Sequence, residues 1–317
     1  MRPPNPPAAP SSRPGAGTAA TVRGRFAPSP TGPLHFGSLV AAFGSWLSAR
    51  SAGGEWWIRI EDVDRGREVP GAARAQLRSL AAFGLDHDGP VEWQSRRGDL
   101  YAAALQKLLD AGSAFECHCS RADIAGAGGI HRACRPGVRR PDPAVRLSVP
   151  DGCREAFDDA VHGHVAQDIA SEVGDFVLRR ADGYWAYQLA VVVDDAAQGI
   201  TGIVRGADLL DSTPRQLLLQ RALGLPRPSY LHLPLLIDED GRKLSKSRAS
   251  LPVDDADPLP ALRMAWLALG QDPRVLPAQA ALPALLDAAV RGFAPRRIPR
   301  GPLSAAALHN AAATQGA

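Results

Sequence analysis

A strand–turn–helix–strand pattern near the start of the chain constrains its fold more than any other feature. Residues 23–27 are predicted to form a short buried strand, and the turn 28–33 that follows is rich in proline. Apolar side chains recur at helical spacing over 36–50, and 56–60 is predicted to form a second strand. This order is typical of a βαβ unit, which favours a parallel sheet with a ligand at the carboxyl end of its first strand.

The remaining chain alternates helical and strand-like patterns. Helices are predicted over 71–83, 100–111, 209–223, 259–269 and 280–291. Strands are predicted over 175–180 and 231–237. An apolar segment at 187–193 follows the first of these strands, and a tight turn at 238–241 follows the second. We therefore expect an α/β fold, with a Rossmann-like parallel sheet, an insertion and a short helical C-terminal region.

Composition excludes several classes of protein. Residues 1–21 are rich in Pro, Ala and Ser and contain no apolar core of a secretory signal, so they are predicted to be a disordered tail. We expect no membrane association, because apolar stretches are too short to span a bilayer. A net charge of +3 does not indicate nucleic-acid binding by bulk electrostatics, so any RNA contact must be local and no DNA partner is expected.

Three of the four cysteines lie close together in the predicted insertion. Cys117, Cys119 and Cys134, with His131, supply three thiolates and one imidazole, a set that tetrahedral zinc accepts in closed structural sites. His118 is the competing fourth ligand, but it lies between two of the cysteines and would strain to reach the same metal. Reduced thiols without a metal are the alternative. The small number of cysteines and the lack of a signal indicate the cytoplasm.

Two short motifs carry the chemistry. Residues 27–38 form a strand-to-helix turn with His35 and Gly37, where a helix N-terminus can hold an anion and glycine lets a nucleotide approach the backbone. Residues 243–247 read Lys-Leu-Ser-Lys-Ser, and ammonium groups suit the charge of a polyphosphate in a transition state. The sequence has neither a G-x-x-x-x-G-K-[ST] loop nor a G-x-G-x-x-G turn after a strand, which disfavours P-loop and dinucleotide enzymes.

These motifs resemble the HIGH and KMSKS signatures of class I aminoacyl-tRNA synthetases. The segments 25–32, 59–64 and 93–96 are similar to the glutamyl branch of that family, over a region from about Arg23 to Ser247. The segments 128–130, 189–195 and 204–213 resemble the glutamyl-Q tRNA(Asp) synthetases, a truncated part of the same branch.

The resemblance implies an activity and its partners. ATP, with Mg²⁺, and glutamate would form glutamyl-adenylate, and the glutamyl group would pass to queuosine at the wobble position of tRNA(Asp). It also implies that no anticodon-binding domain follows the lysine motif; about seventy residues come after Ser247, too few for the usual helical domains. Two alternatives stay open: a truncated enzyme that charges tRNA(Glu), and a catalytically silent module that binds RNA or a protein.

The resemblance further assigns residues to the glutamate pocket. The glutamate-binding set is Arg25, Phe26, Ala27, Pro28, Ser29, Glu61, Tyr187 and Arg205. Arg25 and Arg205 match the positions that bind the carboxylates, Glu61 matches the acidic partner of the α-ammonium, and Tyr187 matches a hydroxyl contact. Considered singly, Arg25 could instead form a surface ion pair, Glu61 could cap a loop, and Tyr187 could be a half-buried aromatic.

For ATP, the resemblance assigns His35, Gly37, Lys243 and Lys246 as binding residues, with His35 and Lys246 catalytic. In the resembling family the insertion carries Cys, Cys, Tyr and Cys ligands, with three residues between the Tyr and the last Cys. Here His131 stands where Tyr is expected, and two residues separate it from Cys134.

The expected organisation follows from these assignments. The divisions are a disordered tail over 1–21, the first half of the catalytic domain over 22–111, the insertion with its metal site over 112–174, the second half with the lysine motif over 175–250, and a helical C-terminal region over 251–317.

Overall fold

The computed structural model describes residues 21–238, 240–241, 253–304, 306 and 308. The strands are β1 Arg23–Phe26, β2 Glu55–Ile60, β3 Glu92–Trp93, β4 Ala114–Cys117, β5 Ala144–Leu147, β6 Arg154–Asp159, β7 Gly163–Asp168, β8 Phe176–Arg179, β9 Gly202–Gly206, β10 Ser229–Leu233, β11 Leu236–Ile237 and β12 Leu303–Ser304. The helices are α1 Phe36–Ser51, α2 Ala72–Ala82, α3 Gly98–Asp110, α4 Arg121–Gly126, α5 Ile169–Glu172, α6 Tyr187–Ala197, α7 Thr213–Leu223, α8 Pro258–Ala268 and α9 Leu282–Gly292.

Parallel strands from both halves of the chain form the centre of the fold. β1 pairs with β2 and β2 with β3, while β9 pairs with β10, all in parallel. β9 lies beside β1, since the Thr201 N–H donates to the Arg23 carbonyl at 3.0 Å and Arg25 Nη1 lies 3.5 Å from the Val204 carbonyl. The order β3-β2-β1-β9-β10 confirms the predicted Rossmann-like parallel sheet.

Helix α1 joins β1 to β2 and is buried on almost every side. Leu39, Phe43 and Leu47 are fully buried, and they pack in one core with apolar side chains of β2, α8 and α9. The predicted βαβ unit is therefore present, and its helix begins one residue after His35. A second apolar core lies among α3, α6 and α7 and the strands β5 and β8.

Two smaller β structures extend from this sheet. Strands β4, β5 and β8 form an antiparallel sheet, and the cysteine-containing loop connects β4 to β5. Strands β6 and β7 form an antiparallel hairpin that joins the main sheet where Asp159 of β6 pairs with Tyr230 of β10. The hairpin thus brings the carboxylate of Asp159 to the edge of the central sheet.

Two predicted elements differ from the structure, and a third segment with no predicted type is defined by it. The helix predicted over 209–223 begins at Thr213, after a 3-10 segment over 207–212, because Pro214 is tolerated in a first turn and not inside a helix. The strand predicted over 231–237 is two strands, β10 and β11, separated at Pro234 and Leu235. The apolar segment 187–193 is helical and opens α6.

The C-terminal region contains α8 and α9 and returns to the sheet region through β12, which pairs in parallel with β11. Across the described part of the chain, every helix is too short or too polar to cross a membrane. The tail 1–21, apart from Thr21, lies outside the described residues, and so does the lysine motif 243–247. The domain boundaries inferred from the sequence stay predictions.

Candidate active site

The predicted glutamate-binding residues converge where the central strands end. Arg25 and Phe26 close β1, Arg205 lies in β9, and Tyr187 begins α6. Glu61 follows β2, and its N–H donates to the Pro28 carbonyl at 2.9 Å, which ties the ends of the two strands together. Residues that are up to 180 positions apart in sequence therefore share the carboxyl edge of one parallel sheet, where ligands of such sheets bind.

The segment after β1 presents backbone rather than side chains. Phe26 is buried and its ring stacks on Trp56 at a centroid distance of 6.3 Å, so only its main chain can face a ligand. The carbonyl of Ser29 accepts from the Thr31 N–H at 2.9 Å and from Gln76 Nε2 at 3.1 Å. These bonds fix the path of the turn and leave the Ser29 side chain exposed.

Arg205 is a buried guanidinium whose hydrogen-bond partners in the described part of the chain are all neutral. Arg205 is only 5% exposed, and its Nε donates to His232 Nε2 at 3.1 Å. Nη2 donates to Thr213 Oγ1 at 2.8 Å and approaches the Leu209 carbonyl at 3.5 Å, while Nη1 lies 3.5 Å from the Tyr187 hydroxyl. A buried cation without a contacting anion is costly, and a bound carboxylate would compensate it.

Arg25 has a different environment. It is 3% exposed, and its guanidinium donates to both carboxylate oxygens of Asp195, from Nε at 3.0 Å and from Nη2 at 3.4 Å. The alternative of a surface ion pair is wrong, because both partners are buried. The charge of Arg25 is already balanced within the protein, which separates it from Arg205.

Sequence reasoning missed the central arginine of the site, Arg59. Its side chain is fully buried; Nη1 lies 2.8 Å from Asp195 Oδ1, Nη2 lies 3.5 Å from Glu61 Oε1, and Nε lies 3.7 Å from Asp194 Oδ2. Asp194 in turn accepts from the Tyr101 hydroxyl at 2.7 Å. The available signal was a pair of aspartates at the end of a run of valines, where charges are retained only when they are paired.

Burial shifts the proton equilibria of this cluster. Desolvation raises the pKa of Glu61, and the charges of Arg59 and Arg25 only partly oppose that rise. Desolvation also raises the pKa of the Tyr187 hydroxyl, so Tyr187 stays a neutral donor. For Asp195 burial acts in the same upward direction, but Arg25 and Arg59 outweigh it and lower its pKa. Of Glu61 and Asp195, Glu61 is the carboxyl group whose charged form the neighbouring arginines compensate less, so a bound ammonium would favour its ionisation.

His35 and Gly37, which are predicted to bind ATP, lie at the start of α1. His35 caps the helix: its Nδ1 accepts from the Ser38 N–H at 3.2 Å, and its Nε2 lies 2.9 Å from Ser38 Oγ. A Cβ at Gly37 would stand 3.2 Å from His35 Nδ1, so the glycine leaves space for the ring. Lys243 and Lys246 lie outside the described residues.

The four predicted metal ligands meet in the insertion. The ligand atoms of Cys117, Cys119, His131 and Cys134 all lie within 4.8 Å of one another. Cys117 Sγ is 3.2 Å from His131 Nε2, and Cys119 Sγ is 3.9 Å from Cys134 Sγ. This donor set and its compactness fit zinc.

Two further contacts support His131 over His118 as the fourth ligand. His131 Nδ1 lies 2.9 Å from Asp175 Oδ2, the arrangement that orients metal-binding imidazoles. His118 Nδ1 instead lies 2.9 Å from the Arg140 carbonyl, so this ring is turned to another partner. Nothing in the sequence pattern had pointed to Asp175, which is distant along the chain.

Comparison with known proteins gives one consistent result. The family described as tRNA synthetases class I (E and Q), catalytic domain, matches residues 21–130 and 129–269. A glutamyl-Q tRNA(Asp) synthetase of Xanthomonas campestris pv. campestris (strain 8004) is 66% identical over 280 residues, 88% of this chain and 93% of the relative. The protein of the same name from Burkholderia cenocepacia (strain J2315) is 53% identical over 291 residues, 86% of this chain and 98% of the relative.

A solved structure shows the same fold. The glutamate tRNA ligase from Elizabethkingia meningosepticum, solved in complex with its amino acid, superposes with a TM-score of 0.75 at 25% sequence identity. The match covers 90% of this chain and 67% of that protein.

Proposed function

The chain belongs to the class I tRNA synthetase family of the E and Q type, and we propose that it activates glutamate with ATP and transfers the glutamyl group to queuosine at the wobble position of tRNA(Asp). Family membership makes it an enzyme of the ligase class. The queuosine acceptor is supported by relatives that are 53–67% identical over most of their length and carry the name glutamyl-Q tRNA(Asp) synthetase.

Arg205 is the observation that carries the proposal. A guanidinium at 5% exposure whose contacts are an imidazole, two hydroxyls and a carbonyl is suited to receive a carboxylate, with the Tyr187 hydroxyl as a second donor. Glu61, with its raised pKa, is placed to receive an α-ammonium. The Arg205 guanidinium matches the side-chain carboxylate of glutamate and the Glu61 carboxyl group matches its ammonium, while the α-carboxylate stays available for activation.

Arg25 acts chiefly through Asp195 in this scheme. Its buried ion pair holds the end of β1 against α6, so that the backbone of residues 26–29 lines the pocket in a fixed position. A direct contact between Arg25 and a substrate carboxylate, which the family resemblance implies, stays a prediction.

Activation is an in-line displacement at phosphorus. The α-carboxylate of glutamate forms a bond to the α-phosphorus of ATP as the bond to the bridging oxygen breaks and pyrophosphate leaves. Positioning and charge neutralisation supply the catalysis, without a covalent enzyme intermediate. We assign His35 to the phosphates, Gly37 to the space beside adenosine, and Lys243 and Lys246 to the charge of the leaving pyrophosphate, with Mg²⁺ bound to ATP.

In the second step a queuosine hydroxyl attacks the acyl carbon of the adenylate. The new ester bond forms, the bond between the acyl carbon and the phosphate oxygen breaks, AMP leaves with the negative charge, and the hydroxyl proton passes to solvent. The cysteine–histidine cluster binds zinc in this proposal and shapes the insertion, without taking part in either step. ATP, glutamate and tRNA are all available where translation takes place, so we place the reaction in the cytoplasm.

Isotope exchange between pyrophosphate and ATP tests the activation step. Glutamate should support exchange, whereas glutamine and aspartate should support much less, because each lacks a carboxylate at the position that meets Arg205. Absence of exchange with glutamate, at any tRNA concentration, would return the catalytically silent module as the better account.

The acceptor position is tested with tRNA(Asp) that contains queuosine but lacks its 3′-terminal adenosine. Transfer to an anticodon base should proceed as well on this shortened tRNA as on intact tRNA. Loss of transfer on shortening would show that the 3′ end is the acceptor and would favour a charging enzyme.

A further inference from the structure

Two buried residues lie behind Arg205, and the proposed reaction assigns neither of them a role. His232 lies in β10 and Asp159 ends β6, and both side chains are fully buried. His232 Nδ1 is 2.6 Å from Asp159 Oδ2, and Arg205 Nε donates to His232 Nε2 at 3.1 Å. A carboxylate, an imidazole and a guanidinium thus form one hydrogen-bonded row.

The chemistry of the three groups fixes the direction of the row. An arginine Nε can only donate, so His232 Nε2 accepts and the ring proton is on Nδ1, from which it is donated to Asp159. Burial lowers the pKa of His232 and, together with the charge of Arg205, outweighs the bond to Asp159 that raises it, so the ring is neutral near pH 7. Burial opposes ionisation of Asp159, but bonds from His232, His162 and Val161 outweigh it and lower its pKa to about 2.

The imidazole separates the two charges. Arg25 touches Asp195 directly, and that contact occupies the guanidinium. Asp159 is held one ring away from Arg205, so its charge stabilises the buried cation without covering it. Nε is bound to His232 and Nη2 to Thr213, while Nη1 has the 3.5 Å contact with the Tyr187 hydroxyl. The row therefore orients Arg205 and leaves Nη1 on the side of the pocket.

We propose that Asp159 and His232 are positioning residues for the amino-acid substrate: they hold Arg205 in one rotamer and keep its Nη1 accessible to a substrate carboxylate. The inference rests on the proposed function in that glutamate supplies this carboxylate. A long arginine side chain loses rotamer entropy when it is fixed, and in a preorganised guanidinium that loss has occurred before the ligand binds.

The decisive variant is His232→Phe. Phenylalanine keeps a ring of similar shape in contact with Tyr230, on which His232 stacks at 6.3 Å, and with Phe157. It removes both nitrogen contacts at once. We expect the KM for glutamate in pyrophosphate exchange to rise about 10- to 100-fold, on the scale of lost hydrogen bonds to a charged group, with the KM for ATP unchanged.

The matched control is His232→Gln. A side-chain amide offers an NH2 donor group and one oxygen acceptor at about the separation of the two imidazole nitrogens, so it can donate to Asp159 and accept from Arg205. We expect it to recover most of the glutamate KM. Melting temperatures of both variants are measured beside the kinetics to confirm that each is folded.

The outcomes separate the inference from the proposed reaction. A Phe variant with a glutamate KM within about twofold of the wild type, or a Gln variant no better than Phe, would overturn the positioning role. An equal rise in the KM for ATP would show a general structural role and would also overturn it. Calorimetric titration with glutamate is run in parallel: a wild-type protein that binds glutamate without exchange contradicts the proposed reaction alone, and one that does neither contradicts both.

Discussion

Arg25 and Arg205 show how residues of one type, both matched to carboxylate recognition, differ once the chain is folded. Arg25 forms a buried ion pair with Asp195, whereas Arg205 is surrounded by neutral groups. Each arginine could be identified as a candidate from its motif. The difference between them depends on Asp195 and His232, which pack against them from distant segments and follow no spacing rule.

Paired variants test this difference. Arg205→Met should raise the KM for glutamate about 100-fold with little loss of stability, because it removes a cation that contacts no anion among the described residues. Arg25→Met should lower the free energy of unfolding by about 3 to 5 kcal/mol, because it leaves Asp195 short of a partner in the interior. Exchange kinetics and urea denaturation of the two proteins provide the comparison. Equal effects of the two changes on stability would contradict the assignment.

We expect Glu61 to lower the stability of the folded protein while it contributes to glutamate binding. Its pKa is raised by burial, so the folded state favours the protonated form, and ionisation costs stability at every pH above that raised pKa. Glu61→Gln should therefore be as stable as the wild type or more stable at pH 7, and should bind glutamate about 10- to 100-fold more weakly.

The pH dependence of this stability difference tests the direction in which the pKa of Glu61 is shifted. The stability advantage of Glu61→Gln should be greatest above the raised pKa and should shrink as the pH falls through it, where the wild-type carboxyl becomes neutral. Melting curves from pH 7 to pH 4 measure this. An advantage that instead grows toward low pH would mean that the carboxylate is stabilised in the fold.

At the scale of elements, apolar periodicity was sufficient to predict helices and strands where it agrees with the flanking turns. Helix α1 and strands β1 and β2 were predicted within one residue, because their apolar spacing and flanking turns agree. The type of α6 could not be read from its run of valines, which is compatible with a buried strand. Its helical state follows from packing against α7 and α3, and this tertiary context overrides intrinsic preference.

The cysteine–histidine cluster of the insertion leads to a separate prediction, which concerns zinc. Purified protein should contain one zinc per chain, and Cys134→Ser should lose the metal and lower the melting temperature, because a closed four-ligand site contributes folding energy. His118→Ala is the control, since that ring contacts the Arg140 carbonyl. Elemental analysis of the wild type, Cys134→Ser and His118→Ala measures the zinc content of each protein. Zinc lost with His118 and kept with Cys134→Ser would reverse the ligand assignment.

At the scale of the whole molecule, the site exists because two distant halves share one sheet. β9 lies beside β1, and buried charges connect them: Arg25 and Arg59 from the first half meet Asp194 and Asp195 from the second. The motifs were sufficient to predict the parallel sheet, whereas the assignment of residues to the glutamate pocket stays a prediction. Arg59, Asp159 and His232 were not found, because their roles come from long-range pairing and from the placement of the β6–β7 hairpin.

The central claim is the transfer of glutamate to one modified base, and it also concerns the molecule as a whole. Labelled glutamate and ATP are incubated with the protein and purified tRNA(Asp) with queuosine, tRNA(Asp) without queuosine, or tRNA(Glu), and the label in RNA is counted. We predict label only on the queuosine-containing tRNA(Asp). Label on tRNA(Glu), or equal label on both forms of tRNA(Asp), would contradict the account.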